Sequence, residues 1–163
     1  MADIIVRKAI REDCKALMAL VQELANYHRR PNNAIKIDYK TLEKDGFGEK
    51  PLFFCYVAIY DKNLIGYAFC SYIYSPRVGR SIYMTDLYVT SDFRQKHVGS
   101  QILQAVAKDA LENNCHQLDF LVLNSNPAQQ FYKKLGASDV TIGEQWHHYC
   151  FANEVLRKLA SGK

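Results

Sequence analysis

Residues 88–100 read Tyr88-Val89-Thr90-Ser91-Asp92-Phe93-Arg94-Gln95-Lys96-His97-Val98-Gly99-Ser100. An apolar, strand-like end runs into a polar loop, and the loop opens a helix. Ile102, Leu103, Val106, Ala110 and Leu111 then follow at helical spacing. The first backbone N–H groups of a helix have no partner within it and point out of its end, an arrangement that receives phosphate. Gly99 lets a ligand approach the backbone closely, and Arg94 and Lys96 add positive charge. An ordinary strand–turn–helix junction containing a glycine has the same pattern, so the loop alone leaves both readings open.

Upstream of the loop lie three strand-like runs, Phe53 to Tyr60, Leu64 to Tyr74 and Ser81 to Val89. They are separated by the turns Asp61-Lys62-Asn63 and Ser75-Pro76-Arg77-Val78-Gly79, and such short turns predict antiparallel hairpins. Ile4 to Lys8 alternates and reads as a first strand. Leu17, Leu20, Val21 and Leu24 repeat with the period of an amphipathic helix, with Glu12 and Asp13 in its first turn. Pro31-Asn32-Asn33 breaks the chain, and a shorter helix covers Tyr39 to Lys44 before Gly46 and Gly48. Downstream, Gln117 to Leu123 reads as a buried strand. Asn126-Pro127 starts a helix that runs to Gly136, and Tyr149 to Phe151 reads as a last strand. The order β-α-α-β-β-β-α-β-α-β predicts a mixed α/β sheet, an antiparallel meander leading into a β-α-β unit, with helices on its faces.

The 163 residues, 48% hydrophobic and 23% charged, fit one soluble domain over residues 1–163. The beginning MADIIVRKAI carries no secretory pattern, and no apolar run reaches bilayer length; a cytoplasmic protein with no membrane partner is expected. Cys14, Cys55, Cys70, Cys115 and Cys150 are scattered and form no C-x-x-C pair, which suits reduced thiols. No Cys/His set has ligand spacing, and His147 and His148 would point to opposite faces of a strand, so no metal is expected. The net charge of +4 comes without a basic stripe, His28-Arg29-Arg30 being the nearest to one, so no nucleic-acid partner is expected.

A second informative segment is Asn126-Pro-Ala-Gln-Gln-Phe-Tyr132-Lys-Lys-Leu-Gly136-Ala. Core packing is the common fate of a tyrosine on an amphipathic helix. A phenol of pKa about 10 is also able to give its proton to a thiolate expelled from a thioester.

On these residues the chain resembles the GNAT acetyltransferases, whose pyrophosphate loop runs Arg/Gln-x-x-Gly-x-Gly/Ala and whose later helix carries Asn…Ala…Phe-Tyr-x-x-Leu-Gly-Ala. Four stretches look like the diamine/polyamine acetyltransferase subfamily: Asp45-Gly46-Phe47-Gly48, Phe54 to Ala58, Tyr83 to Val89, and Trp146 to Phe151. The ending Arg157-Lys158-Leu159-Ala160 is most similar to its thialysine branch. The resemblance implies a GNAT fold, acetyl-CoA as co-substrate, direct transfer to the primary amine of a small molecule, and a homodimer. It implies that Leu87, Tyr88 and Val89 meet the acetyl-CoA arm and that Arg94, Gln95, Lys96, His97, Val98, Gly99 and Ser100 wrap its pyrophosphate. Asn126 and Lys134 would contact the cofactor, and Tyr132 would be the general acid. Tyr27, His28, Thr85, Asp119, Phe120, Leu121, Glu144 and Trp146 would line the amine pocket.

The chain departs from the pattern at several places. His97 stands at the first loop glycine, and the segment from Asn126 to Tyr132 is one residue shorter than in relatives. Thr85 replaces the pocket Glu, His28 replaces the acid after Tyr27, and the acidic position near Ser75 is neutral. A polyamine's ammonium groups need carboxylates. The losses therefore favour a monoamine, or an amino acid such as thialysine or ornithine whose carboxylate His28, Arg29 and Arg30 would hold, over spermidine or spermine. Strand alternation places Thr85 with Tyr83, Leu87 and Val89 and turns Asp86 to the other face. Diamine or polyamine acetylation, and transfer to a protein lysine or N-terminus, are the alternatives.

Overall fold

Asp61 and Lys62, with φ of 44° and 64°, form a hairpin turn between β2 (Phe54–Tyr60) and β3 (Asn63–Ser75). Positive φ at both central residues matches the right-handed twist of the strands. β4 (Gly79–Val89) returns antiparallel along β3, and β1 (Ile5–Lys8) pairs antiparallel with the free side of β2. β5 (Gln117–Phe120) then runs parallel to β4, giving the sheet order β1-β2-β3-β4-β5. The computed structural model describes residues 3–31, 33–145, 148–152 and 154–162. It divides into two compact units, Met1–Leu121 and Val122–Lys163.

In the first unit α1 (Cys14–Tyr27) and α2 (Tyr39–Phe47) cover one face of the sheet. Cys14, Leu17 and Leu20 of α1 and Leu42 of α2 bury against Cys55, Val57, Tyr67, Phe69 and Tyr88. Asp38 caps α2 by accepting the Thr41 N–H at 2.9 Å. α3 (Val98–Glu112) covers the other face, with Ile102 and Val106 fully buried. It packs so closely that a Cβ on Gly66 would sit 2.9 Å from the Tyr88 carbonyl oxygen and 3.2 Å from Ile102. The expected β-α-β unit is therefore β4-α3-β5.

Near the far end of α3 the Asp109 carboxylate is only 2% exposed. It accepts hydrogen bonds from the Tyr56 hydroxyl at 2.9 Å, the Tyr72 hydroxyl and the Asn113 amide at 3.1 Å, and pairs with Lys8 Nζ at 2.5 Å. Burial alone would raise its pKa. The Lys8 ammonium and the two phenols outweigh burial and hold the carboxyl below its ordinary value. One charge thus ties α3 to β1, β2 and β3.

The second unit contains α4 (Ala128–Lys134), α5 (Val140–Glu144) and α6 (Glu154–Ala160). Asn126 Oδ1 accepts the Ala128 N–H at 2.9 Å, and Gly136, at φ 93°, ends α4. The strand expected at Tyr149–Phe151 is not formed: residues 148–152 have no regular structure, and β5 stops at Phe120 rather than Leu123. Three consecutive apolar residues carry little period-2 information, and a strand also needs a neighbour for its N–H groups.

Asp109→Asn should cost about 2–3 kcal/mol at pH 7, the scale of charge-assisted hydrogen bonds. The native carboxyl titrates below its ordinary value of about 3.9, so its contribution is complete at neutral pH and is lost as pH falls below that range. Urea unfolding of both proteins at pH 7 and about pH 3 should show the gap narrowing in acid. An equal gap at both would contradict the assignment.

Candidate active site

β4 carries one extra residue at Thr85. Asp86 pairs with Phe69 and Met84 with Cys70, so Thr85 is a β-bulge, its hydroxyl 3.3 Å from the Phe69 carbonyl oxygen as donor. Directly paired residues share a face. Met84 therefore lies with Cys70 on the α3 side, whereas Asp86 lies with Phe69 on the α1–α2 side. Simple alternation, which turned Asp86 away from Thr85, is corrected here. Both residues line a cavity of about 260 Å³ between the sheet, α1 and α2. Its walls are largely apolar, formed by Met18, Val21, Leu42, Phe53 and Phe69, and its polar groups are Thr85, Asp86 and Asp45 of α2. Burial pushes the Asp86 carboxyl up, and the charge of His28 opposes the rise.

The bulge also marks where β4 and β5 part. Their pairing ends at Met84 with Phe120, while β4 continues five residues to Val89. Among the described residues no strand pairs with that side of β4 from Thr85 to Val89. Leu87 and Val89 lie opposite Ala68 and Gly66, and Tyr88 turns into the α1-side core. Asp119 pairs with Tyr83, and Leu121 just beyond is 60% exposed.

The loop after β4 curls through two left-handed residues, Gln95 at φ 60° and His97 at φ 62°, and His97 is the N-cap of α3. The first helical bond comes from the Gln101 N–H to the His97 carbonyl oxygen at 3.0 Å, which leaves the N–H groups of Val98, Gly99 and Ser100 ahead of it. Left-handed residues in such a loop converge successive N–H groups into an anion-binding nest. Arg94 folds back: its Nε donates to the Val89 carbonyl oxygen at 3.0 Å, and its guanidinium lies 4.6 Å from the Tyr27 ring and 5.5 Å from the Tyr88 ring. Lys96 Nζ lies 5.0 Å over Phe93. Arg94 thereby joins the loop to Tyr27, two residues that the sequence assigned to different ligands. His28, the C-cap of α1, is half-buried, with Nε2 enclosed.

In the second unit Tyr132 is half-buried on α4 with its ring 5.1 Å from Phe131, and burial pushes its phenol up to about 12. Lys134 and Glu144 are exposed. The N-cap of α4 is Pro127 rather than Asn126, whose side-chain oxygen accepts the Ala128 N–H just ahead of the helix. Trp146 lies outside the described residues.

The acetyltransferase (GNAT) family profile matches residues 17–137. A thialysine N-epsilon-acetyltransferase of Sus scrofa is 38% identical, covering 98% of this chain and 99% of its own. The chain belongs to the GNAT acetyltransferase family. Among solved structures, an integron cassette protein from the mobile metagenome of V. cholerae superposes with a TM-score of 0.78 at 26% identity, covering 96% of this chain and 97% of that one. A predicted acetyltransferase of Clostridium acetobutylicum, solved with acetyl-CoA, gives 0.72 at 24%, covering 91% and 96%.

The GNAT acetyltransferases use acetyl-CoA, and this chain's residues fit it. The parted β4 edge offers backbone groups to an extended amide-bearing arm, and the α3 end with its two left-handed residues offers N–H groups to a pyrophosphate. Two acids of the cavity were not among the expected site residues: Asp86, which alternation turned away, and Asp45. The available signal was an acid in the middle of a run of strand formers, Tyr83-Met84-Thr85-Asp86-Leu87-Tyr88-Val89, which on a half-buried strand is an inward-pointing charge.

A left-handed non-glycine residue costs about 1–2 kcal/mol, partly offset by the lower unfolded-state entropy of a side-chain-bearing residue. His97→Gly should therefore stabilise the fold by about 0.5–1 kcal/mol in urea unfolding. A destabilised variant would show that the His97 side chain supports the loop.

Proposed function

We propose that this protein transfers acetyl from acetyl-CoA to the primary amine of a small molecule, a thialysine- or ornithine-like amino acid or a monoamine. The cavity beneath the bulge carries this reading. Its apolar walls suit methylene groups, and the Asp86 carboxylate suits an ammonium. Near-full-length similarity to a protein named for thialysine supports the choice. Leu87, Tyr88, Val89 and residues 94–100 of the first unit hold acetyl-CoA; Asn126 and Lys134 are the further cofactor residues that the resemblance implies. Tyr27, His28, Thr85, Asp119 and Leu121 of the first unit surround the amine; Phe120, expected there, pairs with Met84 and so lies on the α3 side, and Glu144 and Trp146 remain what the resemblance implies. Tyr132 is the general acid: a phenol at about 12 keeps its proton throughout the physiological range and has it to give to the departing thiolate. Two carboxylates in one cavity, Asp45 and Asp86, favour a second reading, acetylation of a diamine or polyamine.

The family profile spans residues of both units, which supports one catalytic domain over 1–163. We also propose a cytoplasmic homodimer. No helix among the described residues is long and apolar enough to cross a membrane. In the second unit Ile142 is 76% exposed, Tyr149 84% and Phe151 64%, an apolar surface that a second copy would cover. Light scattering at micromolar concentration should give twice the monomer mass; a monomer refutes the dimer.

Thiol release from acetyl-CoA with thialysine, ornithine, simple monoamines and spermidine tests the substrate. Thialysine, ornithine or a monoamine should be preferred; preference for spermidine selects the second reading. Tyr132→Phe should lower turnover by about 10²-fold while acetyl-CoA still raises Tm as it does for the wild type. Near-normal turnover would return Tyr132 to a packing role.

A further inference from the structure

We propose that Asp86 takes the proton from the substrate ammonium and His28 carries it out of the site, with the Tyr67 hydroxyl steering the carboxylate between them. The proposal rests on the amine-acetylating function above and supplies the step which that function leaves without a residue. A lysine-like amine of pKa about 10.4 is neutral in only about 1 in 10³ molecules at pH 7, so a base is required before attack.

Three elements bring these groups together. The bulge turns Asp86 into the cavity. Tyr67 on β3 pairs with Tyr88, two residues beyond Asp86 on the same face, which makes its side chain a diagonal neighbour of the carboxylate. His28 is the C-cap of α1, the helix that packs on that face. Tyr67 is fully buried and its hydroxyl has no hydrogen-bond partner; His28 Nε2 is likewise buried without one. Buried polar atoms without partners cost stability, and their presence at a site calls for a role. The charge of His28 acts on Asp86, and that of Asp86 on Tyr67.

The neighbouring polar groups are committed elsewhere. The Tyr88 hydroxyl donates to Glu23, Arg94 Nε donates to the Val89 carbonyl, and the Thr85 hydroxyl donates to the Phe69 carbonyl. Cys14, Glu23 and Tyr27 on α1, Asp45 on α2, Cys55 on β2 and the guanidinium of Arg94 are other titratable or charged groups around this face. Burial keeps the Tyr67 phenol protonated, so it has a proton to offer Asp86 and does not compete for the substrate's.

The steps balance. An ammonium N–H bond breaks, its electron pair stays on nitrogen, and an O–H bond forms on Asp86. The Asp86 O–H then breaks as the proton passes to His28 Nε2, and the imidazolium releases its Nδ1 proton to solvent from the half-exposed ring. The amine lone pair is free to attack the thioester carbonyl of acetyl-CoA.

The test is kcat/KM against pH, from about pH 6 to 10, for the best amine of the panel, on wild type, Asp86→Asn, Tyr67→Phe and His28→Ala. At pH 7 Asp86→Asn should lose about 10²-fold and the other two about 10-fold. All three losses should shrink as pH approaches the amine's own pKa, because the substrate then arrives neutral. Added imidazole should restore His28→Ala, a comparison made within one folded variant. A raised KM for Asp86→Asn with unchanged kcat and pH profile would leave Asp86 as an ammonium holder and overturn the relay. So would a His28→Ala profile that matches wild type and ignores imidazole. Absence of turnover of any amine by the wild type overturns the function and the relay together, whereas turnover with pH-insensitive variants overturns the relay alone.

Discussion

One inserted residue in β4 governs the site. Were β4 regular, Met84, Asp86 and Tyr88 would share a face. The bulge at Thr85 separates them: Met84 stays with Cys70 under α3, and Asp86 and Tyr88 cross to the α1 side. The same kink ends the pairing with β5, so a bare strand edge and an inward carboxylate arise at one point in the chain. A bulge gives up a ladder position, and the Thr85 hydroxyl, bonding back to the Phe69 carbonyl, replaces part of what is lost. Threonine suits the place twice over, as a strand former and as the donor of that bond.

The two faces of the sheet are built differently. On the α3 face a single buried carboxylate, Asp109, draws donors from three strands and fixes the far end of the helix. Gly66 lets the helix lie close to the sheet. The near end of α3, and the N–H groups it presents, are therefore held in a set relation to the open edge of β4. On the opposite face α1 and α2 leave a cavity in which burial raises the Asp86 carboxyl, and on the same side of the sheet the Tyr67 hydroxyl and His28 Nε2 are unpartnered.

Much of the framework was legible in the sequence because turns and helix ends are local. Asp61-Lys62, Gly136 and the Asn126-Pro127 helix start each act within a few residues, and the segments between them took the types their periodicity predicted. The bulge was not legible. A period-2 pattern contains no mark for an inserted residue, and the faces of β4 are decided by its partner's register, which is tertiary information. Asp86 was misplaced for that reason alone. Tyr149 to Phe151 failed differently, since an apolar triplet has no preference that its neighbours do not supply, and the short helices α5 and α6 lack the repeats that make a longer helix readable.

The counting of lost acids also needs a physical correction. The sequence lacks the glutamate at Thr85 and the acid at His28, yet the cavity retains Asp86 and Asp45. What matters for catalysis is how the carboxylate and the ammonium share a proton. In water, transfer from an amine to a carboxyl group is uphill by about 6.5 pKa units. Burial raises the carboxyl and lowers the amine, each by as much as about 3–5 units for fully enclosed groups, so the two converge in an apolar cavity. The ion pair and the neutral pair hold the same number of protons, and the titration belongs to the pair. Apolar walls disfavour the charged form of that pair, and the neutral form is the one that contains a nucleophile. A second fixed negative charge at position 85 would stabilise the ammonium and oppose the transfer. Threonine at the bulge leaves Asp86 to face the substrate cation with a neutral neighbour, and an imidazole at position 28 supplies an acceptor nitrogen without adding a second carboxylate to hold the ammonium.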